Sequence, residues 1–192
     1  MAAPSEPPHS EPPHSEPVVI PLDAGPLTTA AWAPFGWLPV DDVDPVDATL
    51  HYEFAWGDAH VNFIAHSFDE VEHPAPDVAL CDVMYRHATH TQTLMPLNRP
   101  SIVAVAPPHT DFVAPGAVDS VRAFLLQPLD ALTLFRGTWH WGPFPISADA
   151  PVRLFNVQGK RYAADNEDAD LRGLGLRFAV RVGNGADAGE GS

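Results

Sequence analysis

At 192 residues with 45% hydrophobic side chains, the chain suits a single domain with a sizeable core and is short for two. A formal charge of −15, with Lys160 as the only lysine, disfavours nucleic acid and anionic membranes as partners, so a few local arginines would have to grip any anionic ligand. No apolar run approaches the length of about eighteen residues that a membrane span needs, and Pro, Ser, Glu and His stand where a signal peptide would begin, so the reading is a soluble, cytoplasmic protein.

In chain order, residues 1–17 come first. Glu-Pro-Pro-His-Ser occurs twice, at Glu6–Ser10 and Glu11–Ser15, and proline at this density predicts a disordered, partly polyproline II tail. Its His9 and His14 read as solvated. The stretch Leu27–Gly36 has threonines to cap, alanines to continue and proline and glycine to stop, which predicts one short helix. Leu50, Tyr52, Phe54 and Trp56 alternate as in a strand, and Gly57-Asp58 then turns into a second strand over 59–64. Further strands are expected at 78–87, 92–95, 101–106, 120–126, 131–136 and 152–158. Cys81, the single cysteine, sits in the apolar run Val78–Met84 and reads as a packed thiol rather than a nucleophile. In the last strand Leu174, Leu176, Phe178, Val180 and Val182 alternate with Arg177 and Arg181, which predicts one wet face. Residues 183–192 lack apolar content and read as a second tail, leaving a single folded domain over 18–182. Many short strands and no long helix argue for an all-β sandwich or barrel.

Two segments carry chemistry. Tyr85-Arg86-His87, followed by His90 and Gln92, and Phe135-Arg136-Gly137-Thr138-Trp139-His140 each set an arginine close to a histidine within the β pattern. Folding that joined them would bring two cations and two titratable imidazoles to one cavity, equipment for a small carboxylate. Pro26–Gly36, Arg86-His87 with Gln92 and Pro96-Leu97, and Arg136–His140 resemble, in order and separation, the motifs of ureidoglycolate lyases, over roughly residues 20–160. The resemblance implies a cupin-type double-stranded β-helix, or jelly-roll barrel, and a homodimeric enzyme. It also implies cleavage of ureidoglycolate to glyoxylate and urea in allantoin and purine breakdown. The chain departs from the family pattern where Tyr85 replaces a glutamate, where Trp141-Gly142 replaces histidine and proline, and at Arg153–Val157, which lacks the usual acidic residue.

The reacting carbon of ureidoglycolate carries a carboxylate, a hydroxyl and a ureido nitrogen. Breaking its C–N bond needs a base for the hydroxyl proton and an acid for the departing urea. The resemblance and this chemistry together give Arg86 or Arg136 to the carboxylate, His140 to general base and His87 to general acid or to orienting the urea. Gln92 would bond the ureido group, Tyr85 is a second proton donor, and Trp139 would wall the substrate pocket. His51, His60, His66, His73 and His109 read as surface or core residues. A divalent ion could draw on His87, His90, Gln92 and His140, but His87 and His90 would face opposite ways on a continuous strand and converge only across a turn. The balance at this level favours a metal-independent enzyme. The alternatives are a lyase, hydratase or isomerase for another small hydroxy or oxo acid, and a non-catalytic metabolite-binding protein.

Overall fold

The computed structural model describes residues 16–49, 52–160 and 162–182. Among them are thirteen strands and one short α-helix. The chain begins with β1 (Val18–Pro26), α1 (Thr29–Trp32), β2 (Gly36–Trp37) and β3 (Ala59–His66). It continues through β4 (Val78–Cys81), β5 (Val83–His87), β6 (Gln92–Pro96), β7 (Ser101–Ala106) and β8 (Arg122–Leu126). The last five are β9 (Leu132–Leu134), β10 (Trp139–Pro145), β11 (Val152–Gly159), β12 (Asn166–Asp170) and β13 (Leu176–Val182).

Eight strands form one sheet in the order β12-β5-β10-β7-β8-β1-β13-β4, and five form a second in the order β2-β9-β6-β11-β3. Only Asp82 separates the end of β4 from the start of β5, although β4 is the last strand at one end of the large sheet and β5 the second from the other. The sheet must therefore curl until its ends approach. The result is an all-β architecture of curled sheets, consistent with a cupin-like barrel.

β7 explains how the core is arranged. All six of its residues are buried, as its unbroken apolar run requires of a strand covered on both faces. Ile102, Ala104 and Ala106 join Met84, Trp139, Trp141 and Phe178 inside the curl of the large sheet. Val103 and Val105 face the other way, where they pack with Phe124, Leu94, Leu132, Leu154 and the Trp32 of α1 between the two sheets. The Thr28 hydroxyl caps α1 by accepting from the Ala31 N–H at 3.3 Å.

Several expectations need correction. The strand expected to run through 78–87 is two strands, because Asp82 turns the chain from one sheet end to the other. Tyr52–Trp56 forms no strand, and Leu50 and His51 lie outside the described residues. The alternation there serves aromatic packing: Tyr52 stacks on Trp37 at 5.0 Å, and Phe54 packs against Trp37 and Trp56. Arg177 does not lie on a wet face. It is 9% exposed and is held by Asp82 and Glu72. Cys81 is fully buried, and burial pushes its thiol well above its usual range, as a packed thiol should be. Both tails, apart from Glu16 and Pro17, lie outside the described residues.

Candidate active site

The alternation of strand side chains sorts the sequence motifs onto two faces of the large sheet. On β5, Met84 and Arg86 point toward the curl, while Tyr85 and His87 point to the space between the sheets. On β10, Trp139 and Trp141 take the first side and His140 the second. His140 stands directly opposite Tyr85 in the β5–β10 pairing, so the two side chains share a face. A β-bulge follows between Trp141 and Phe144, where Gly142 adopts φ 87° and a Cβ would lie 2.8 Å from the Ile102 carbonyl oxygen.

These residues surround a cavity of about 290 Å³, bounded by Tyr85, His87, His140, Gln92, Gln158 and His66 among others. Its volume suits a small polar metabolite. The structure thus brings Tyr85, His87, Gln92 and His140 together. It does not bring the arginines with them. Arg86 lies over the Trp139 ring at 4.4 Å, donates to Glu167 Oε2 and the Pro108 carbonyl, and borders a separate cavity of about 420 Å³ with Trp139. Trp139 itself is buried and donates through Nε1 to the Thr110 carbonyl at 3.1 Å. Arg136 borders a third cavity with Trp37, Tyr52 and Phe135. Among the described residues no arginine or lysine borders the histidine cavity.

Electrostatics there are set by burial. Burial first, and then the neighbouring His140 and His90 rings, push the His87 imidazole down to about 3. Burial brings His140 to about 4, although its bond to the Thr138 carbonyl favours the charged form. Both rings are therefore neutral near pH 7. With Nδ1 of His140 3.2 Å from the Thr138 oxygen, that nitrogen is the donor and Nε2 keeps the lone pair. Gln92 is oriented by a ladder of amides: its Nε2 donates to Asn156 Oδ1 at 3.0 Å and Gln158 Oε1 at 3.2 Å, and Asn156 Nδ2 donates to Asn62 Oδ1 at 2.8 Å. That leaves Gln92 Oε1 buried and unpartnered, an acceptor available to a ligand.

Three further participants come from the fold: His66, which reads in the sequence as a surface or core residue, and Asp165 and Gly159, which the sequence does not single out. His66 borders the cavity while its Nδ1 meets Glu70 at 2.8 Å. Asp165 pairs with His90, Nδ1 to Oδ2, at 3.0 Å. Gly159 is the third: a Cβ there would lie 2.9 Å from His90 Cγ, so the His90 ring fits only over a glycine. The turn that the metal reading required is present. β5 ends at His87 and the chain bends through Ala88–Thr91, which stacks the His87 and His90 rings with centroids 4.4 Å apart. His87 and His140 are 5.4 Å apart by the same measure.

Neutral imidazoles, an oriented amide and a phenol around one inter-sheet cavity define an all-β protein equipped for acid–base work on a small molecule. Comparison with known proteins agrees. The family model described as ureidoglycolate lyase matches residues 41–173. A curated ureidoglycolate lyase from Rhodobacter capsulatus is 32% identical over 137 residues, which is 64% of this chain and 78% of the relative. The chain belongs to the ureidoglycolate lyase family, and it is a lyase. Among the described residues no helix is long and apolar enough to cross a membrane.

Proposed function

We propose that the protein cleaves the C–N bond of ureidoglycolate, a carbon–nitrogen (amidine) lyase reaction that releases glyoxylate and urea in allantoin and purine breakdown. The observation that carries this reading is the convergence of Tyr85, His87, Gln92 and His140 on one cavity in a member of this family. His140 Nε2 takes the hydroxyl proton as the aldehyde forms. A proton reaches the departing urea nitrogen from Tyr85, while the neutral His87 ring orients the urea. Gln92 Oε1 accepts from the ureido N–H groups and fixes the leaving group. The barrel is read as a cupin-type double-stranded β-helix in a cytoplasmic homodimer. Exposed Val61 and Phe63 on the outer face of β3 support the dimer.

Urea and glyoxylate release from racemic ureidoglycolate tests the reading, with wild type and His140→Ala side by side. Wild type is expected to turn over and the variant to lose about 10²–10⁴-fold, the usual contribution of a positioned base. Equal rates would remove His140 from the reaction. A second reading, a lyase for another small hydroxy or oxo acid, is favoured by one observation: both arginines assigned to the carboxylate face other cavities. Turnover of such an acid with none of ureidoglycolate would establish it.

A further inference from the structure

Ureidoglycolate carries a carboxylate, yet among the described residues no arginine or lysine borders the cavity where Tyr85, His87, Gln92 and His140 meet. Arg86 and Arg136 border other cavities and cannot fill that role from there. His87 and His140 face the cavity as neutral rings, since burial holds both far below their ordinary value. A cation for the substrate must come from a residue with no part in the proton transfers.

His66 is placed to supply it. It ends β3, on which Val61 and Phe63 are exposed on the outer side while Ile64 and His66 turn inward and border the cavity. The His66 ring rests against Phe144, with centroids 4.8 Å apart. The chain then leaves β3 through a short 3₁₀ turn, Phe68–Glu70, which carries Glu70 back to the strand end. Glu70 is held at both oxygens: Oε1 accepts from the Ser67 N–H at 2.6 Å, and Oε2 meets His66 Nδ1 at 2.8 Å. Burial opposes the charge on Glu70, but the bonds to His66 and Ser67 outweigh it and hold the carboxyl below its usual range. An ionised carboxylate only accepts, so His66 Nδ1 is the donor and the rotation of the ring is fixed. No hydrogen bond falls on Nε2 among the described residues.

We propose that His66 binds the substrate carboxylate as an imidazolium, donating Nδ1–H to Glu70 and Nε2–H to the ligand. Two carboxylates then flank one ring, and only the doubly protonated ring donates to both. Arrival of the anion therefore draws a proton onto Nε2. The other titratable groups bordering the cavity are Tyr85 and His87 on β5 and His140 on β10, and none of them supplies a positive charge near pH 7. With the carboxylate held at the end of β3, the hydroxyl and ureido groups are left to His140 and Gln92. The inference deepens the lyase reading and rests on it for the identity of the acid.

The test uses the full chain and glyoxylate, the carboxylate that the proposed reaction releases. Titrated by NMR into protein carrying ¹⁵N-labelled histidine, glyoxylate is expected to bind saturably at pH 7 and to bring both His66 ring nitrogens to imidazolium shifts. His66→Gln should bind glyoxylate about 10-fold more weakly, the scale of one charged hydrogen bond, with unchanged circular dichroism. The same variant should raise KM for ureidoglycolate by a similar factor and leave kcat nearly as it was, because the contact is made before the C–N bond breaks. No saturable binding by wild type, equal affinity in the variant, or a His66 ring that stays neutral in the saturated protein would each overturn the assignment. Should His66→Gln fail to fold, the ring signature of wild type decides alone. Wild type that releases no urea but binds glyoxylate through a charged His66 would end the lyase reading and keep this one, whereas urea release with a neutral His66 would do the reverse.

Discussion

His90 owes its position to two neighbours that have nothing in common chemically. Asp165 holds one edge of the ring by a charged hydrogen bond, and Gly159 supplies the space beneath its Cβ and Cγ. Gly159→Ala would set a methyl group 2.9 Å from His90 Cγ, an atom too near the backbone to swing aside. The ring, and His87 stacked upon it, must then shift. This variant is expected to keep its β-sheet circular dichroism and to lose about 10²-fold in urea release, the scale of a misplacement of about 1 Å. Undiminished release would show that the His87–His90 stack takes no part in the reaction. Of this site, His87, Gln92 and His140 were legible because they sit in two short motifs. Asp165 was not: it lies in a different part of the sequence from the motifs, and strand pairing alone delivers it. The arginines misled for a related reason. Arg86 adjoins His87 in sequence, but adjacent residues of a strand face opposite ways, so a guanidinium next to a cavity-facing imidazole was bound for the other face.

At the scale of elements, the corner between β4 and β5 is held by one arginine paired with two acids. Arg177 of β13 grips Asp82 through two bonds of 2.7 Å, Nε to Oδ1 and Nη2 to Oδ2, and reaches Glu72 Oε2 at 2.9 Å. Hydrogen bonding to Asp82 raises the guanidinium above its ordinary range, so it stays charged throughout the accessible pH range. The Asp82 carbonyl also accepts from the Leu171 N–H at 2.9 Å, which ties the corner to the chain after β12. Arg177→Ala is expected to destabilise by about 3 kcal/mol, toward the lower end for breaking a buried pair because Asp82 retains some solvent access. Urea denaturation with an unchanged m-value would measure it, and a loss within about 0.5 kcal/mol would show the corner to be held otherwise. Sequence patterning found the strands whose apolar content is continuous, β7 above all. It missed β12, since Asn166-Glu167-Asp168-Ala169-Asp170 has the composition that strands avoid and lies there because β5 offers it an edge. It also missed β10, where Gly142-Pro143 reads as a break and is a bulge within a continuing strand.

For the whole molecule, a chain of formal charge −15 carries exposed apolar side chains on the outer face of its five-stranded sheet. β3 is the end strand of the five-stranded sheet, with Val61 58% and Phe63 61% exposed, while Phe155 on β11 packs against Phe63 and Arg153 lies over that ring at 5.3 Å. A two-fold contact would cover this face. Light scattering of wild type at micromolar concentration is expected to report a dimer, and Phe63→Glu a monomer with the same circular dichroism. A wild-type monomer would remove the dimer reading, and a dimeric variant would move the contact elsewhere.

The placement of β1 sets the order in which the large sheet can be assembled. β1 lies parallel between β8 and β13, with Ala24 opposite Ala123 and Val18 opposite Leu176. A ribosome delivers β1 first among the described strands and β13 last, so the early strand emerges long before either neighbour exists. β2, β9, β6, β11 and β3 can all pair while the chain is still growing, because their partners precede residue 160. The eight-stranded sheet can pair only in part by then, through β8 with β1 and β7 and through β10 with β5 and β7, and Val18, Val19 and Ile20 stay without their β13 partners until residues 176–182 have been made.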